Sequence, residues 1–366
     1  MEILINGRFL TQPVTGVQRY AREILKKIDE NIAINHNVCF TICVPKSYKG
    51  VNPFKNIKMK RMGFYNGHIW EQIFLAYFSK RKRLINLTNT GPLFKKNQLV
   101  TIHDAAVFAN EKNFSFVFRN WYKTLLKCLS KNSKYIITVS EFSKEELIKY
   151  LKLKDERIAV VPGSYEQILD ILPDEAFSRR LKLNKTKYIL AVSSMNPNKN
   201  FKSVLKAIDV LNKKNLEIKF FIAGQTNNSK VFGEVNLDKN ENVTQLGYVN
   251  DSQLKSLYEN AYAFVFPSFY EGFGLPVLEA MASSCPVITS NRASLPEVCK
   301  EAAIFCDPEN YKDLANKIEL LYQDEQMRLN LISKGKERLK FFSWEKSAEM
   351  LMDIVFNDIV VKRNDN

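Results

Sequence analysis

No run of eighteen or more apolar residues occurs in this chain, so no segment reads as a membrane-spanning helix. The amino terminus, Met1-Glu-Ile-Leu-Ile5, reads directly as a strand. It lacks the basic start and long apolar stretch of an export signal. Cysteine is sparse: residues 39, 43, 128, 285, 299 and 306 are scattered, with no CxxC pair. The expectation is a set of reduced thiols, several of them buried, in a cytoplasmic protein. With only three histidines there is no His/Cys cluster. An Asp-x-Asp metal motif and a phosphate loop ending in Gly-Lys-Ser/Thr are also missing, which removes zinc modules and P-loop nucleotidases. No internal repeat is visible, and the only biased segment is the polar tail 362–366, expected to fray.

Acidic residues are scarce in one half only. Residues 1–170 hold 28 Lys and Arg against 14 Asp and Glu, whereas residues 171–366 hold 26 against 25. A basic half implies an anionic partner, either nucleic acid or a membrane surface. Its densest cluster is Lys80, Arg81, Lys82 and Arg83, at the end of a helix expected over 69–78 that carries Trp70, Ile73, Phe74, Tyr77 and Phe78. Cations there also suit plain capping of a helix carboxyl end.

At 366 residues the chain is too long for one compact domain and fits two. Each half alternates short apolar strands with amphipathic helices, the pattern of parallel α/β sheets. Strands are predicted near 2–5, 38–44, 84–87, 99–102, 135–139 and 158–161, then 188–192, 218–223, 243–246, 263–266 and 287–289. Helices are predicted near 17–28, 69–78, 116–129 and 143–151, with a final one over 344–359. The expected division is a first Rossmann-like domain over 1–170, a second over 171–343, and a terminal helix over 344–366.

The most informative segment is Pro267-Ser-Phe-Tyr-Glu271-Gly272-Phe273-Gly274-Leu275-Pro276-Val-Leu-Glu279-Ala-Met-Ala282. A strand-like run precedes it, and Pro276 suits the start of a helix. The glycines allow close approach to the backbone, and the helix N-terminus favours an anion such as a phosphate. Carboxylates suit hydroxyls instead. Glu271 in the loop and Glu279 in the helix therefore fit a diphosphate flanked by hydroxyl-rich groups, as in a nucleotide-sugar.

This string resembles the donor-binding motif of retaining glycosyltransferases of family 4, in which Glu-Gly-Phe-Gly-Leu-Pro-x-Leu-Glu-Ala-Met-Ala leads, after a short spacer, to Pro-Val-Ile. Here the sequel is Ser283-Ser284-Cys285-Pro286-Val287-Ile288, and Ser284 stands where glycine is usual. The resemblance implies the α/β GT-B fold: two Rossmann-like domains facing across a cleft, the terminal helix crossing back to the first. It also implies transfer from a UDP-, GDP- or dTDP-sugar with retention and without a metal. On this resemblance Glu279 holds the ribose hydroxyls. Glu271, Gly272, Phe273, Gly274 and Leu275 hold the sugar and diphosphate. Lys199, in Asn196-Pro197-Asn198-Lys199-Asn200, matches the lysine that faces the diphosphate. The arginine before that lysine is replaced by Asn198, and a usual Gly-Arg pair by Ser193-Ser194. Gly16, opening a helix in Thr15-Gly16-Val17, matches a loop beside the donor phosphates. His103 and Asp104, ending Thr-Ile-His-Asp, match the residues that meet donor sugar or acceptor. Asn89-Thr90-Gly91-Pro92 and Ser140-Glu141-Phe142-Ser143 resemble further segments of the first domain. Gly247-Tyr248-Val249 with Leu254 matches the base-binding turn. Val161-Pro162-Gly163-Ser164 stands where many members have Pro-Asn-Gly-Val.

The expected acceptor is a glycan or lipid-diphosphate-linked glycan of bacterial surface polysaccharide, O-antigen or capsule. The protein would be peripheral on the inner face of the plasma membrane, with Lys80, Arg81, Lys82 and Arg83 on anionic lipid. The alternatives are a nucleotide-sugar epimerase or glycan phosphorylase of the same fold, or a basic nucleic-acid-binding protein. No recognition motif supports the last, so no nucleic acid is expected.

Overall fold

The computed structural model describes residues 2–32, 38–192, 196–214, 216, 218–224 and 242–364, with side chains as far as residue 356. Two compact units result, one formed by 1–163 with 343–366, the other by 164–342. The division falls before residue 164 rather than after 170. Gln167, inside that interval, donates its side-chain amide to Glu279 at 2.8 Å and so belongs with the second unit.

In the first unit the strands are β1 (Glu2–Asn6), β2 (Cys39–Pro45), β3 (Lys58–Met62), β4 (Arg83–Asn86), β5 (Gln98–Thr101), β6 (Tyr135–Thr138) and β7 (Ile158–Val160). They form one parallel sheet in the order β3-β2-β1-β4-β5-β6-β7. Buried Val100, Ile102 and Ile136 of the sheet pack on Leu125, Leu126 and Leu129 of the helix Phe116–Asn132. That burial on both faces is why the central strands read as continuous apolar runs. The terminal helix Trp344–Asn364 belongs to this unit. Asn31 Nδ2 donates to Glu345 Oε1 at 2.7 Å, Ser347 Oγ donates to the Pro162 carbonyl at 2.7 Å, and Arg83 donates to the Val355 carbonyl.

These contacts correct the reading of the basic tetrad. Arg83 is not at a helix end: it opens β4 and is buried. Lys82 pairs with Glu2 at 2.5 Å, leaving Lys80 and Arg81 as the exposed members. The helical segment 67–78 contains a π-turn at Glu71–Leu75. Its carboxyl end is capped by Lys95, whose Nζ donates to the Ser79 and Lys82 carbonyls at 2.5 and 2.8 Å. Burial pushes the Lys95 ammonium down to about 8.

In the second unit the strands are β8 (Tyr188–Val192), β9 (Lys219–Ala223), β10 (Val243–Gly247), β11 (Ala263–Phe266), β12 (Val287–Ser290) and β13 (Ala303–Cys306). They too are all parallel, in the order β10-β9-β8-β11-β12-β13. Strand order reverses between β1 and β4 in the first sheet and between β8 and β11 in the second. In open α/β sheets such reversal points are where ligands bind, beyond the carboxyl ends of the strands. Cys43, Cys285, Cys299 and Cys306 are buried, Cys39 and Cys128 half-buried, and all six thiols are free. Among the described residues no helix is long and apolar enough to cross a membrane.

Candidate active site

In the second unit the two segments that leave β8 and β11 come together. Lys199 ends the short turn Pro197–Lys199, which Asn196 caps through its side chain. Its Nζ lies 2.7 Å from Glu271 Oε1 and 4.8 Å from the centre of the Phe266 ring. The Asn198 carbonyl accepts from the Phe269 amide at 2.7 Å, tying the two segments by backbone as well. Asn198 itself is buried, so the residue in the usual arginine position is part of the scaffold. The Ser193-Ser194 pair lies outside the described residues.

The loop after Glu271 is clamped from behind. Ser294 Oγ lies 2.9 Å from the Glu271 carbonyl and 3.0 Å from that of Phe273. Gly274 has φ +104°, and a Cβ there would lie 2.9 Å from a methyl of Leu295, so the position favours glycine twice over. The helix Leu275–Ala282 follows, with Pro276 in its first turn. Phe273 and Leu275 are buried side chains, Phe273 edge-on to Phe342 at 5.6 Å, so what they offer a ligand is backbone. Glu279 is 7% exposed on that helix, where the Gln167 amide fixes one carboxylate oxygen. Gln167 escapes sequence reasoning, because it is 112 positions away and belongs to no motif. Ser284, which replaces a usual glycine, has φ +56°, and a non-glycine residue there costs about 1–2 kcal/mol.

Gly247 ends β10 with φ +65°, leaving Tyr248 79% exposed and Val249 half-buried. Leu254 lies in the helix Asp251–Asn260, started by a reciprocal Asn250–Gln253 cap.

In the first unit, Gly16 opens the helix Gly16–Ile32. His103 follows β5 and is buried, its ring edge-on to Tyr20 at 4.9 Å. Burial pushes the imidazole down to about 4, against the opposing pull of its bond to the Leu87 carbonyl. At neutral pH it is therefore uncharged. Nε2 lies 2.9 Å from that carbonyl, a pure acceptor, so Nε2 carries the proton and Nδ1 the lone pair. Asp104 Oδ1 accepts from the Ala106 amide at 2.8 Å. Asn89, at φ +61°, accepts from the His103 amide through its side chain.

A family model described as glycosyl transferases group 1 matches residues 173–338. The O-antigen chain mannosyltransferase B of Escherichia coli is 29% identical over 94% of this chain and 97% of its own. The O-antigen chain mannosyltransferase RfbU of Salmonella typhimurium is also 29% identical, over 88% and 91%. Among solved structures, the sucrose-phosphate synthase of Thermosynechococcus elongatus superposes with a TM-score of 0.76, covering 99% of both chains at 17% identity. Anabaena Alr3699/HepE in complex with UDP-glucose gives 0.70, covering 98% of this chain and all of that one at 15% identity. The fold is thus the GT-B fold. Residues 173–338, most of the second unit, thus resemble a glycosyl transferases group 1 domain, and both of these full-length relatives are O-antigen mannosyltransferases.

Proposed function

We propose that this protein transfers a hexose, with mannose the favoured candidate, from a nucleotide-diphosphate sugar to a growing glycan or lipid-diphosphate-linked glycan. The reaction proceeds with retention and without a metal, in the assembly of an O-antigen-type polysaccharide. The observation that carries this reading is the Lys199–Glu271 pair at the β8/β11 reversal point, beside a glycine-rich helix start and a Glu279 held in place by Gln167. Glu279 takes the ribose hydroxyls. Glu271 takes the sugar, and the amides of Gly272, Phe273 and Gly274 take the diphosphate. Lys199 meets the charge that grows on the leaving group. His103 and Asp104 meet the donor sugar or the acceptor. The two mannosyltransferase relatives support the transfer class and the sugar, and leave the epimerase, phosphorylase and nucleic-acid readings without support.

Glu279→Ala tests the donor site. Each bond between a carboxylate and a hydroxyl contributes roughly 1.5–3 kcal/mol, so GDP or UDP affinity should fall at least ten-fold. Calorimetry showing unchanged nucleotide affinity would remove Glu279 from the site. Turnover should also survive a chelator, and its return only with added magnesium or manganese would count against the whole donor model.

Attachment to an anionic membrane surface is part of the same proposal. Lys80 and Arg81 are exposed, and Phe64, Tyr65, Ile69, Ile73 and Tyr77 expose apolar surface on and beside the segment 67–78. Lys46 sits 4.6 Å from the Phe64 ring centre and Lys60 5.5 Å from that of Phe78. Each cation near an anionic bilayer contributes about 1 kcal/mol. Co-sedimentation with anionic vesicles should therefore fall with salt, and again on replacing Lys80 and Arg81 with Gln and Tyr77 with Ala. Equal binding to neutral vesicles, or none to either kind, would refute the attachment.

A further inference from the structure

A second constellation occupies the carboxyl ends of β1, β4 and β5, where the first sheet reverses its strand order. Glu71, in the π-turn, is fully buried and uses both carboxylate oxygens. Oε1 accepts from Asn6 Nδ2 at 2.8 Å and Thr90 Oγ1 at 2.7 Å. Oε2 accepts from Arg8 Nη1 at 2.8 Å and lies 3.2 Å from His68 Nδ1. Burial alone would raise the Glu71 carboxyl, but the His68 bond, the Arg8 charge and the Asn6 and Thr90 bonds hold it below the usual range. Arg8 also donates to Thr90 Oγ1 at 3.1 Å. The His68 ring lies along the guanidinium, its nitrogens 3.4 and 3.3 Å from Nη1 and Nη2. Behind them Asn6 donates to Asn86, which in turn donates to Gln98.

Such a network is a costly way to hold a sheet together. A buried ion pair often stabilises no more than apolar residues of the same volume, and it demands that every partner be satisfied. Costly polar groups gathered at a reversal point are the mark of a binding site. Its outer side supports that reading. The Arg8 side chain keeps 12% of its surface and that of His68 32%, so both present polar edges. The two Nη1 protons go to Glu71 and Thr90 and Nη2 also meets His68 Nε2, leaving Nε and one Nη2 proton for a ligand. Trp121, 41% exposed, stands edge-on to His68 with ring centres 5.9 Å apart. Asp104, three residues past β5, lies at the same end of the sheet, and the half-buried Tyr122 phenol, raised to about 12 chiefly by desolvation, feels the charges of Arg8, Asp104 and Glu71 together.

The charges decide the ligand class. Glu71 already neutralises Arg8, and Asp104 adds a further negative charge, so a phosphate gains little here. Hydroxyls that both donate and accept fit the mixture of Arg8, His68 and Asp104. A partly exposed indole fits the apolar face of a sugar ring.

The geometry points to a subsite for one neutral sugar ring, with Arg8, His68 and Asp104 as its polar partners, Glu71 as the group that holds Arg8 and His68, and Trp121 as the stacking face. Its assignment as the terminal sugar of the acceptor rests on the proposed transfer reaction. Nothing in the sequence motifs marks Arg8, His68 or Trp121, which lie on three separate segments.

The test uses the full chain and two ligand sets. Saturation-transfer NMR with methyl α-mannoside, β-glucoside and α-galactoside reads the subsite, and calorimetry with GDP and UDP reads the donor site. Wild type should bind at least one of the glycosides. Trp121→Ala should weaken that binding roughly ten-fold, the scale of one lost stacking contact. Arg8→Lys, which keeps the charge facing Glu71 but loses the planar fork, should weaken it as well. Nucleotide affinity should stay unchanged in both variants. Absence of a glycoside signal in wild type, an undiminished signal in Trp121→Ala, or loss of nucleotide binding together with glycoside binding would overturn the subsite. A wild type whose glycoside binding depends on Trp121 but which binds neither nucleotide would uphold the subsite and defeat the transferase reading instead.

Discussion

Lys199→Ala is expected to lower turnover about 10²–10³-fold at saturating donor, the scale seen when one group stabilising developing charge is removed. Lys199 ends the turn Pro197–Lys199 with its ammonium 2.7 Å from Glu271, and both side chains are largely shielded from water. A leaving nucleotide diphosphate gains charge as the glycosidic bond breaks, so the lysine interacts more strongly with the transition state than with the bound donor. For that reason kcat should fall further than donor affinity. Removing Lys199 also leaves Glu271 without its cation, which confounds the single variant. The remedy is a cycle with Glu271→Gln and the double variant. If the lysine serves only to neutralise Glu271, the double variant turns over no more slowly than Glu271→Gln alone. If it serves the leaving group, the double variant is slower than Glu271→Gln by about the factor lost in Lys199→Ala. Normal turnover in Lys199→Ala at saturating donor would dismiss the charge-stabilising role.

The strands most legible in the sequence are those buried on both faces. β8 and β11 lie inside their sheet and read as uninterrupted apolar runs, because no face of them meets water. Of the four edge strands, β7 and β10 were legible and β3 and β13 were not. β3, Lys-Met-Lys-Arg-Met, shows three cations and only one fully buried residue, as suits an edge that must not pair with another chain. β13 is four residues long and half-buried in its middle, too short to show a period. The basic tetrad was misread for a related reason. A charged residue in a strand looks like surface until its partner is known, and the partner of Arg83 is a carbonyl 272 positions away.

The site divides in the same way. Local features carry across: the positive φ of Gly274, the proline in the first helical turn and the glycine turn at Gly247 are set by backbone sterics within a few residues. What stays hidden is everything that depends on two distant segments meeting. Gln167 on Glu279, Ser294 behind the loop, and Arg8 with His68 on Glu71 are pairings that only the sheet order creates. Position 284 is an intermediate case. The departure from glycine was visible, but the left-handed backbone that makes it a strain was not.

Trp344→Ala is expected to destabilise the first unit by about 3–5 kcal/mol, the usual cost of truncating a fully buried tryptophan. That is a large share of the roughly 5–15 kcal/mol a domain has in total. Trp344 begins the terminal helix and is 1% exposed. Its ring meets Tyr20 edge-on at 5.7 Å, and Tyr20 meets His103 edge-on at 4.9 Å while donating its hydroxyl to the Val161 carbonyl at 3.1 Å. The indole therefore closes a column that starts in the last helix of the chain and ends on His103. Its loss leaves a cavity beside Tyr20 and loosens the only aromatic neighbour that His103 has among the described residues. The second unit has its own core and shares none of these residues. Hydrogen exchange read peptide by peptide should thus show faster exchange across β1, β5 and the helix Gly16–Ile32, with peptides of residues 164–342 unchanged. A single urea midpoint would not serve, because two units need not unfold as one. Equal loss of protection in both units, or protection of the first unit reduced by less than about 1 kcal/mol, would show that the terminal helix is not held by its tryptophan.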